Sequence, residues 1–271
     1  MTLSKPIIIL IINTFMAVSI STLSASPIDQ TVNGVPEGLY EKALPAGLVE
    51  EVHTLFPETD EVNPSFISPD LDPNLHLMQD AVITLTFIDE GAGYWNSFGY
   101  FLFDDNERII EEHLLFGNSS GLNSGGVLKP GSSIDFGASY NRDGSVNPFS
   151  AGTSIGFFVT PNGWGNPRFS QKGYNFYSLD SLNPDGKRHT GMVYSNLYQT
   201  LIIGIEDIWW DWSDKDCNDI LFTITTDPVT ALEEVVRLGN IAQTFQPVPE
   251  PATLLLFISG LLAIAGFSRK R

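Results

Sequence analysis

Short apolar stretches recur along residues 81–225, and clusters rich in Gly, Pro, Asn or Asp separate many of them. Apolar stretches between such turn-forming clusters are typical of β-strands. The pattern predicts strands at residues 81–88, 95–103, 108–116, 132–136, 153–160, 174–178, 189–195, 200–205 and 219–225. Short strands at this spacing predict an all-β domain over residues 81–228, built as a β-sandwich or jelly roll.

Helical patterning marks two short segments that flank these strands. In the leader, residues 27–80, Pro45 suits a first helical position, the apolar residues of 45–56 fall on one helix face, and Pro57 ends the run. Residues 58–73 are acidic and contain several prolines, which is typical of an ordered loop or linker. The capping-box pattern at 230–233 predicts a second short helix in the segment 229–247, which then tethers the domain to the C-terminus.

The first 26 residues have the organisation of a secretory signal peptide. Lys5 precedes apolar runs that Asn13 and Thr14 interrupt, and small residues follow at 24–26. These runs are too short and too broken for a good transmembrane anchor. We therefore expect cleavage near residues 24–26 and export of the remainder.

The C-terminus carries a second apolar segment with different flanks. Residues 252–267 are uncharged and would span about 24 Å as a helix, slightly less than a hydrocarbon core of ~30 Å. A Pro-Glu-Pro triplet precedes this segment and a basic cluster follows it, formed by Pro249, Glu250 and Pro251, and by Arg269, Lys270 and Arg271. The positive-inside rule predicts a transmembrane helix with the basic cluster in the cytoplasm and the body of the protein outside. An ordinary tail anchor obeys the same physics but needs no Pro-Glu-Pro.

Residues 248–271 resemble the PEP-CTERM sorting signal of Gram-negative bacteria, because the Pro-Glu-Pro triplet, the apolar span and the basic terminus follow one another in the same order. The resemblance implies that an exosortase, a membrane cysteine transpeptidase, cuts near the triplet, so that the helix anchors only the precursor in the inner membrane. It also implies a mature product in the periplasm, at the cell surface or outside the cell, often alongside exopolysaccharide production.

The composition fits an exported protein with an acidic surface. The chain has a net charge of −18, and 31 acidic and 10 basic residues remain when the two terminal signals are left out. Nucleic acid is excluded as a partner because phosphate binding needs a basic surface. The single cysteine cannot form an internal disulfide, so a hydrophobic core or a bound metal must stabilise the fold.

Acidic residues concentrate in residues 206–219, named here the acidic loop, where six carboxylates accompany one lysine. Carboxylates this close repel one another, and a bound cation is the simplest compensation. The loop offers mainly oxygen ligands, which suit calcium rather than zinc or copper. The predicted calcium ligands are Glu206, Asp207, Asp214, Asp216, Asn218 and Asp219. The alternative is a hydrated acidic turn without an ion.

The acidic loop matches only the opening of an EF-hand. Asp214, Asp216 and Asn218 have the spacing of the first three EF-hand ligands. Asp219, however, stands where an EF-hand needs Gly, and Thr225 stands where it needs a bidentate Glu. We therefore expect a cation site at the entry to a strand and not an EF-hand.

Three tryptophans, Trp209, Trp210 and Trp212, interrupt the acidic loop. Large aromatic side chains are mostly buried, so the first hypothesis is that these residues fill the core of the sandwich. Exposed aromatic rings stack on sugar faces, so the second hypothesis is ligand binding. One exposed ring beside a cation would form a carbohydrate platform.

Catalytic patterns in the chain are incomplete, and we expect a protein without catalytic residues. Residues 117–121 fit G-x-S-x-G, yet the glycine-rich stretch after them predicts no nucleophile elbow. Neighbouring carboxylates raise the pKa of the Cys217 thiol, which favours a buried apolar role over a nucleophile. The four histidines are scattered and lack the spacing of catalytic zinc ligands. A carboxylate pair for glycoside hydrolysis remains the alternative.

Four segments of the body, residues 90–101, 151–159, 182–189 and 203–219, together resemble one family. They are similar, over residues 81–226, to the bacterial domain of unknown function numbered forty-one fourteen, found in secreted and cell-surface proteins. The resemblance implies a β-rich, calcium-binding extracellular module with no established reaction. Cys217 departs from the aromatic residue usual in the family, and the tryptophan-rich insert is also unusual.

These expectations combine into one hypothesis. The chain is expected to be a calcium-stabilised structural or binding protein of a Gram-negative cell envelope, sorted by an exosortase and associated with extracellular polysaccharide. The alternative is an enzyme of the glycoside hydrolase type that acts on envelope polysaccharide.

Overall fold

The computed structural model describes residues 29–58, 60–165 and 173–232, which are mostly β-structure. These residues contain one α-helix, α1 (Leu48–Leu55), and two 3₁₀ turns, Asp180–Leu182 and Val229–Ala231. Their strands are β1 (Tyr40–Glu41), β2 (Leu75–His76), β3 (Val82–Asp89), β4 (Ser97–Phe103), β5 (Ile109–Phe116), β6 (Ser132–Phe136), β7 (Ser139–Tyr140), β8 (Val146–Asn147), β9 (Ser154–Thr160), β10 (Phe176–Tyr177), β11 (Thr190–Ser195), β12 (Thr200–Ile205) and β13 (Ile220–Asp227).

The strands form two large antiparallel sheets and one small ribbon. The first sheet has six strands in the order β1-β6-β3-β13-β12-β11. The second has the order β10-β9-β4-β5, with β2 also paired to β9. Strands β7 and β8 form the ribbon. Hairpin β12–β13 therefore lies inside the six-stranded sheet, with β11 on one side and β3 on the other.

The main hydrophobic core lies between the two large sheets. Alternate residues of a strand point to opposite faces, and Ile203 and Phe222 of the first sheet meet Phe98 and Phe157 of the second in this core. The rings of Phe98 and Phe222 are 4.8 Å apart between centroids, and those of Phe157 and Phe222 are 5.5 Å apart. The protein is therefore a β-sandwich, and the prediction of an all-β fold is confirmed.

The leader packs onto the outer face of the six-stranded sheet and forms a second hydrophobic cluster there. Helix α1 contributes Leu48 and Val52, and Phe56 follows its last turn. Their partners from the sheet and the acidic loop are Ile88, Ile202, Leu221 and Cys217. Strand β1 of the same leader pairs with β6, and β2 pairs with β9. The described part of the leader is thus structurally continuous with both sheets.

The nine predicted strands correspond to β3–β6 and β9–β13, with ends that differ by at most two residues. The helix predicted over 45–56 is α1, which is shorter at both ends. The helix predicted to start at the capping box is wrong at its beginning. Leu232 has an extended backbone, is buried in the main core and bridges to Leu77, so it does not begin a helix.

The remaining predictions on the ends of the chain lie outside the described residues. These are the signal peptide at 1–26, the rest of the second helix from 233, and the sorting signal with its transmembrane helix at 252–267. Among the residues described, no helix has the length and apolar character that a membrane crossing requires.

Candidate metal centre

The hairpin β12–β13 brings the two ends of the acidic loop together. Ile205, the last residue of β12, pairs with Ile220, the first residue of β13. The loop begins directly after Ile205 and ends directly before Ile220, so Glu206 and Asp219 face each other across the mouth of the hairpin. The backbone N–H of Asp207 donates a hydrogen bond of 2.7 Å to Oδ2 of Asp219.

Five carboxylates of the loop form two overlapping groups. The inner group is Glu206, Asp207 and Asp219, and the outer group is Glu206, Asp214 and Asp216. In each group, one oxygen per residue lies within 4.8 Å of the others. Glu206 belongs to both groups. Five of the six predicted ligands therefore meet in space, and the sixth, Asn218, adjoins them in sequence.

Glu206 is the central residue of this cluster, and its burial is nearly complete. Its side chain is 1% exposed, and its Oε2 atom has no hydrogen-bond partner. Burial and the negative charge of Asp219 raise the pKa of Glu206 to about 10. A buried carboxylate oxygen without a donor needs either a proton or a cation. The site therefore has the electrostatics of a metal centre.

Asp207 and Asp219 share the unfavourable environment of Glu206. Burial and the charge of Asp219 raise the pKa of Asp207 well above its usual range. Burial also raises the pKa of Asp219 to about 6. Neutral donors reach this group: the backbone N–H of Asp207 donates to Asp219, and Nδ2 of the buried Asn96 lies 2.5 Å from Oδ2 of Asp207. An amide offers no positive charge, so the charge of the inner group is left uncompensated.

Lys215 is the one cation of the acidic loop, and it points away from the cluster. Its Nζ atom lies 3.3 Å from Oε1 of Glu61, and its backbone carbonyl accepts a hydrogen bond from Val62. Within the described parts of the chain, Glu206, Asp207, Asp214 and Asp219 form no ion pair with Lys, Arg or His. The lysine therefore fastens the loop to the leader and not to these four carboxylates.

The second half of the loop holds its ligands in a tight backbone conformation. Lys215 and Cys217 both have left-handed backbone angles, with φ of 65° and 53°. Residues other than glycine rarely adopt the left-handed backbone region. Asp216 is 2% exposed and accepts a hydrogen bond from the backbone N–H of Asn218. The Asn218 side chain donates to Glu58 of the leader, so its carbonyl oxygen is oriented by a contact outside the loop.

Cys217 is fully buried in the second hydrophobic cluster. Burial, followed by the charges of Glu206 and Asp219, raises the pKa of its thiol well above the usual value. A protonated, inaccessible thiol is a poor nucleophile. The side chain fills the space beneath α1.

The three tryptophans have different environments. Trp209 packs against the main core, and its indole N–H donates to the hydroxyl of Tyr174 over 3.0 Å. Trp210 packs against the second cluster and meets His189 edge to face. Trp212 is 77% exposed, and its ring centroid lies 6.1 Å from that of Trp209. Two of the rings therefore anchor the loop, and the third is presented to solvent.

The serine and histidine side chains that were weighed as catalytic candidates lie outside the two carboxylate groups. Ser119, of the G-x-S-x-G match, is buried and donates to the backbone carbonyl of Asn96, and no helix follows it before β6. Each histidine pairs with a carboxylate outside the two groups: His53 with Asp89, His76 with Asp72, His113 with Glu111 and His189 with Asp185. None of the four imidazole rings belongs to either carboxylate group, although the backbone carbonyl of His189 accepts a hydrogen bond from the backbone N–H of Glu206.

Sequence reasoning missed two residues at the site, Glu90 and Asn96. Glu90 follows β3, where Asp89 pairs with Leu221, so it lies beside the start of β13. Its Oε1 atom is buried without a hydrogen-bond partner, and burial raises its pKa to about 7. The negative charge of Glu90 also raises the pKa of Asp207. Both residues belong to the first segment of the family resemblance, which was the available signal.

Two family matches agree with the resemblances drawn from the sequence. Residues 149–227 match the Domain of unknown function (DUF4114), and residues 247–271 match the PEP-CTERM protein-sorting motif. The first match covers β9–β13 and the whole acidic loop, and is shorter than the 81–226 of the sequence resemblance. No curated protein and no solved structure matches the chain.

The sorting motif places the protein in a known export route. A PEP-CTERM motif indicates an exported protein of a Gram-negative bacterium, made as a membrane-anchored precursor and processed by an exosortase. The matched domain has no assigned function. A molecular function is therefore inferred from the geometry of the acidic loop.

Proposed function

We propose that the protein is a calcium-stabilised binding or structural component of the cell envelope, associated with extracellular polysaccharide. The observation that carries the proposal is the buried Oε2 of Glu206, which has no hydrogen-bond partner and lies among other carboxylates. A calcium ion at this position would satisfy that oxygen and offset the charge that burial makes unfavourable. The candidate calcium ligands of the site are Glu206, Asp207, Asp214, Asp216 and Asp219.

The donor set favours calcium over other biological cations. All the clustered ligand atoms are carboxylate oxygens, which suit hard cations. Calcium accepts six to eight oxygen ligands in irregular arrangements, whereas magnesium demands a near-ideal octahedron and keeps several waters. A crowded set of carboxylates from one loop suits the larger and more permissive ion.

Calcium at this position would connect the ends of β12 and β13 to the middle of the acidic loop. Unfolding separates these carboxylates, so the ion binds the folded state and stabilises it. Extracellular calcium modules commonly have dissociation constants of about 0.1 to 1 mM. Such a protein is folded and rigid outside the cell, where calcium is plentiful.

A thermal melt of the full-length chain in detergent tests the calcium proposal. With a dissociation constant of ~0.1 mM, 10 mM calcium contributes roughly 2.7 kcal/mol, which raises Tm by about 5 to 11 °C relative to chelator. Glu206→Gln should abolish this shift. Asp211→Asn changes an exposed carboxylate of the same loop outside both groups and should retain it. An equal Tm with calcium and with chelator in the unmodified protein contradicts the proposal.

The exposed ring of Trp212 supports the polysaccharide part of the proposal. Sugar rings bind to the faces of exposed aromatic side chains, and the Trp212 ring packs against that of Trp209. Glu206 and Asp207 are 1% and 2% exposed, which supports a role in binding over one in glycoside hydrolysis. The high negative charge of the chain also favours calcium-mediated contact with anionic polymers over direct contact.

Co-sedimentation with the exopolysaccharide of the host tests this part separately. We expect the full-length chain to sediment with the polymer in calcium, and Trp212→Ala to lose roughly 5- to 30-fold in affinity, since one stacked ring contributes about 1 to 2 kcal/mol. Trp164→Ala removes a less exposed tryptophan and should have no effect. Unchanged sedimentation of the Trp212→Ala variant contradicts a stacking role.

A further inference from the structure

We infer that the metal centre holds two cations that share Glu206, an inner one enclosed by the protein and an outer one open to solvent. The inference rests on the proposed function and extends it to the number and roles of the ions. It arises from the division of the five carboxylates into an inner and an outer group with one common member.

The division into two groups argues against one ion bound by all five side chains. Glu206 lies within 4.8 Å of both pairs, but the pair Asp207 and Asp219 does not form one group with Asp214 and Asp216. A carboxylate has two oxygens and can bridge two ions. Glu206 therefore has the position of a bridging ligand, with one ion on each side.

The charge of the five carboxylates also favours two ions over one. Five carboxylates carry five negative charges, and one divalent ion offsets fewer than half of them. Two divalent ions offset all but one. Because Glu206 and Asp207 are almost completely buried, an uncompensated charge on either carboxylate is costly. The Lys215 side chain, which could have supplied a positive charge, is engaged with Glu61.

The inner position is enclosed. Glu206 and Asp207 are almost completely buried, Asp219 is partly buried, and Asn96 fixes the orientation of Asp207. Glu90 lies on the same side, beside the start of β13, and its Oε1 is buried without a hydrogen-bond partner. An ion surrounded by buried carboxylates exchanges slowly and acts as a structural element.

The outer position is open. Asp214 is exposed, so an ion held by Glu206, Asp214 and Asp216 keeps part of its coordination sphere in water. Water ligands exchange with hydroxyl or carboxylate oxygens of a ligand. Trp212, two residues before Asp214, is also exposed. The outer ion and this ring would together recognise an anionic or polyhydroxyl polymer, while the inner ion keeps the loop in shape.

Native mass spectrometry and calorimetric titration of the full-length chain in detergent, with calcium as the probe, test the inference. We expect two calcium ions per chain, one bound at least ten-fold more tightly than the other. Asp214→Ala, at an exposed position, should retain the tight ion and lose the weak one. Asp211→Ala, at an exposed position outside both groups, should retain both. Glu206→Gln should lose both.

The stoichiometry separates failure of the inference from failure of the proposed function. No calcium in the unmodified protein overturns both. One ion in the unmodified protein, lost in Glu206→Gln, overturns the second ion and leaves the calcium proposal intact. Two ions in the Asp214→Ala variant, with unchanged affinities, would overturn the assignment of the outer position.

Discussion

At the scale of single residues, Glu206 is the most informative position of the chain. A glutamate after a strand is ordinary in sequence, since a surface carboxylate is simply hydrated. In the fold it is 1% exposed, with one oxygen that receives no hydrogen bond and with four other carboxylates around it. Burying a charged carboxylate in that environment is costly, which favours a bound cation. The same environment raises the pKa of Glu206 and so determines how the stability of the metal-free protein depends on pH.

In the metal-free protein, stability should fall as pH rises from about 5 to 9. The folded-state pKa of Glu206 is raised to about 10, and that of Glu90 to about 7, whereas both carboxyls lose their protons near pH 4.5 in the unfolded chain. The folded state therefore binds more protons than the unfolded state over this interval, and rising pH favours unfolding. Asp219, whose pKa is raised to about 6, acts in the same direction at the acidic end.

Thermal melts in chelator across this pH range check the prediction. Glu206→Gln removes the largest titration and should flatten the profile of Tm against pH. In saturating calcium the fall should largely disappear, because the ion-bound carboxylates are deprotonated in the folded state, as they are in the unfolded chain over this interval. A metal-free Tm that rises steadily between pH 5 and 9 would contradict the predicted protonation of the cluster.

At the scale of elements, the hairpin β12–β13 is held in place by the packing of the leader on its outer face. Gly191 of β11 and Gly204 of β12 pair with each other, and the Phe56 ring lies over both. A Cβ atom at Gly204 would lie 2.9 Å from two carbons of that ring, and it would also meet the backbone carbonyl of Cys217. Because neither glycine has a side chain, the Phe56 ring packs directly on the backbone of the two strands. Gly204 lies two residues before Glu206, so this contact adjoins the acidic loop.

Gly204→Ala should destabilise the protein by about 1 to 3 kcal/mol, the usual cost of overpacking a closely packed site. The added methyl group has to displace either the ring of Phe56 or the backbone of the acidic loop, so calcium affinity should fall as well. Chemical denaturation in calcium and in chelator measures both effects. Gly93→Ala is the matched control, because a Cβ atom there would have nothing within 4 Å. Equal stabilities of the two variants would contradict close packing of Phe56 on Gly204.

At the scale of the whole molecule, the sequence predicts the strands far better than the contacts between them. Apolar stretches between turn-forming residues located nine strands to within two residues, because each carries its own local pattern. Four strands of two residues each were missed, β1, β2, β7 and β8, since a pair of residues has no periodicity. Thr230 was misread as a helix cap because the capping-box pattern is local, whereas Leu232 is buried in the core and bridges to Leu77.

The candidate metal centre shows the same difference between local and long-range signals. Its five clustered carboxylates lie within fourteen residues of sequence, so charge density alone pointed to them. Glu90 reaches the site only because β3 pairs with β13, and Asn96 only because the β3–β4 connection runs past Asp207. Strand pairing between distant segments leaves no local signal. The different environments of Trp209 and Trp212 also depend on contacts that the sequence pattern does not contain.

The export route yields the last prediction, which concerns the precursor as a whole. The sorting motif at 247–271 marks the chain for an exosortase, and the apolar segment that follows Pro251 is expected to hold the precursor in the inner membrane until it is cut. Replacing Glu250 and Pro251 by Ala should therefore leave an uncut chain, with the mass of the tail retained and the protein confined to the membrane fraction of its host.

Immunoblots of cell fractions, together with the intact mass of the protein, measure this outcome. Gln246→Ala lies just before the matched motif and should be processed normally. Because cleavage is expected to remove the predicted anchor, we expect unprocessed protein to stay at the inner membrane. If the Glu250 and Pro251 variant has the same size and location as the unmodified protein, the triplet is not needed for sorting, and the anchor alone determines where the domain acts.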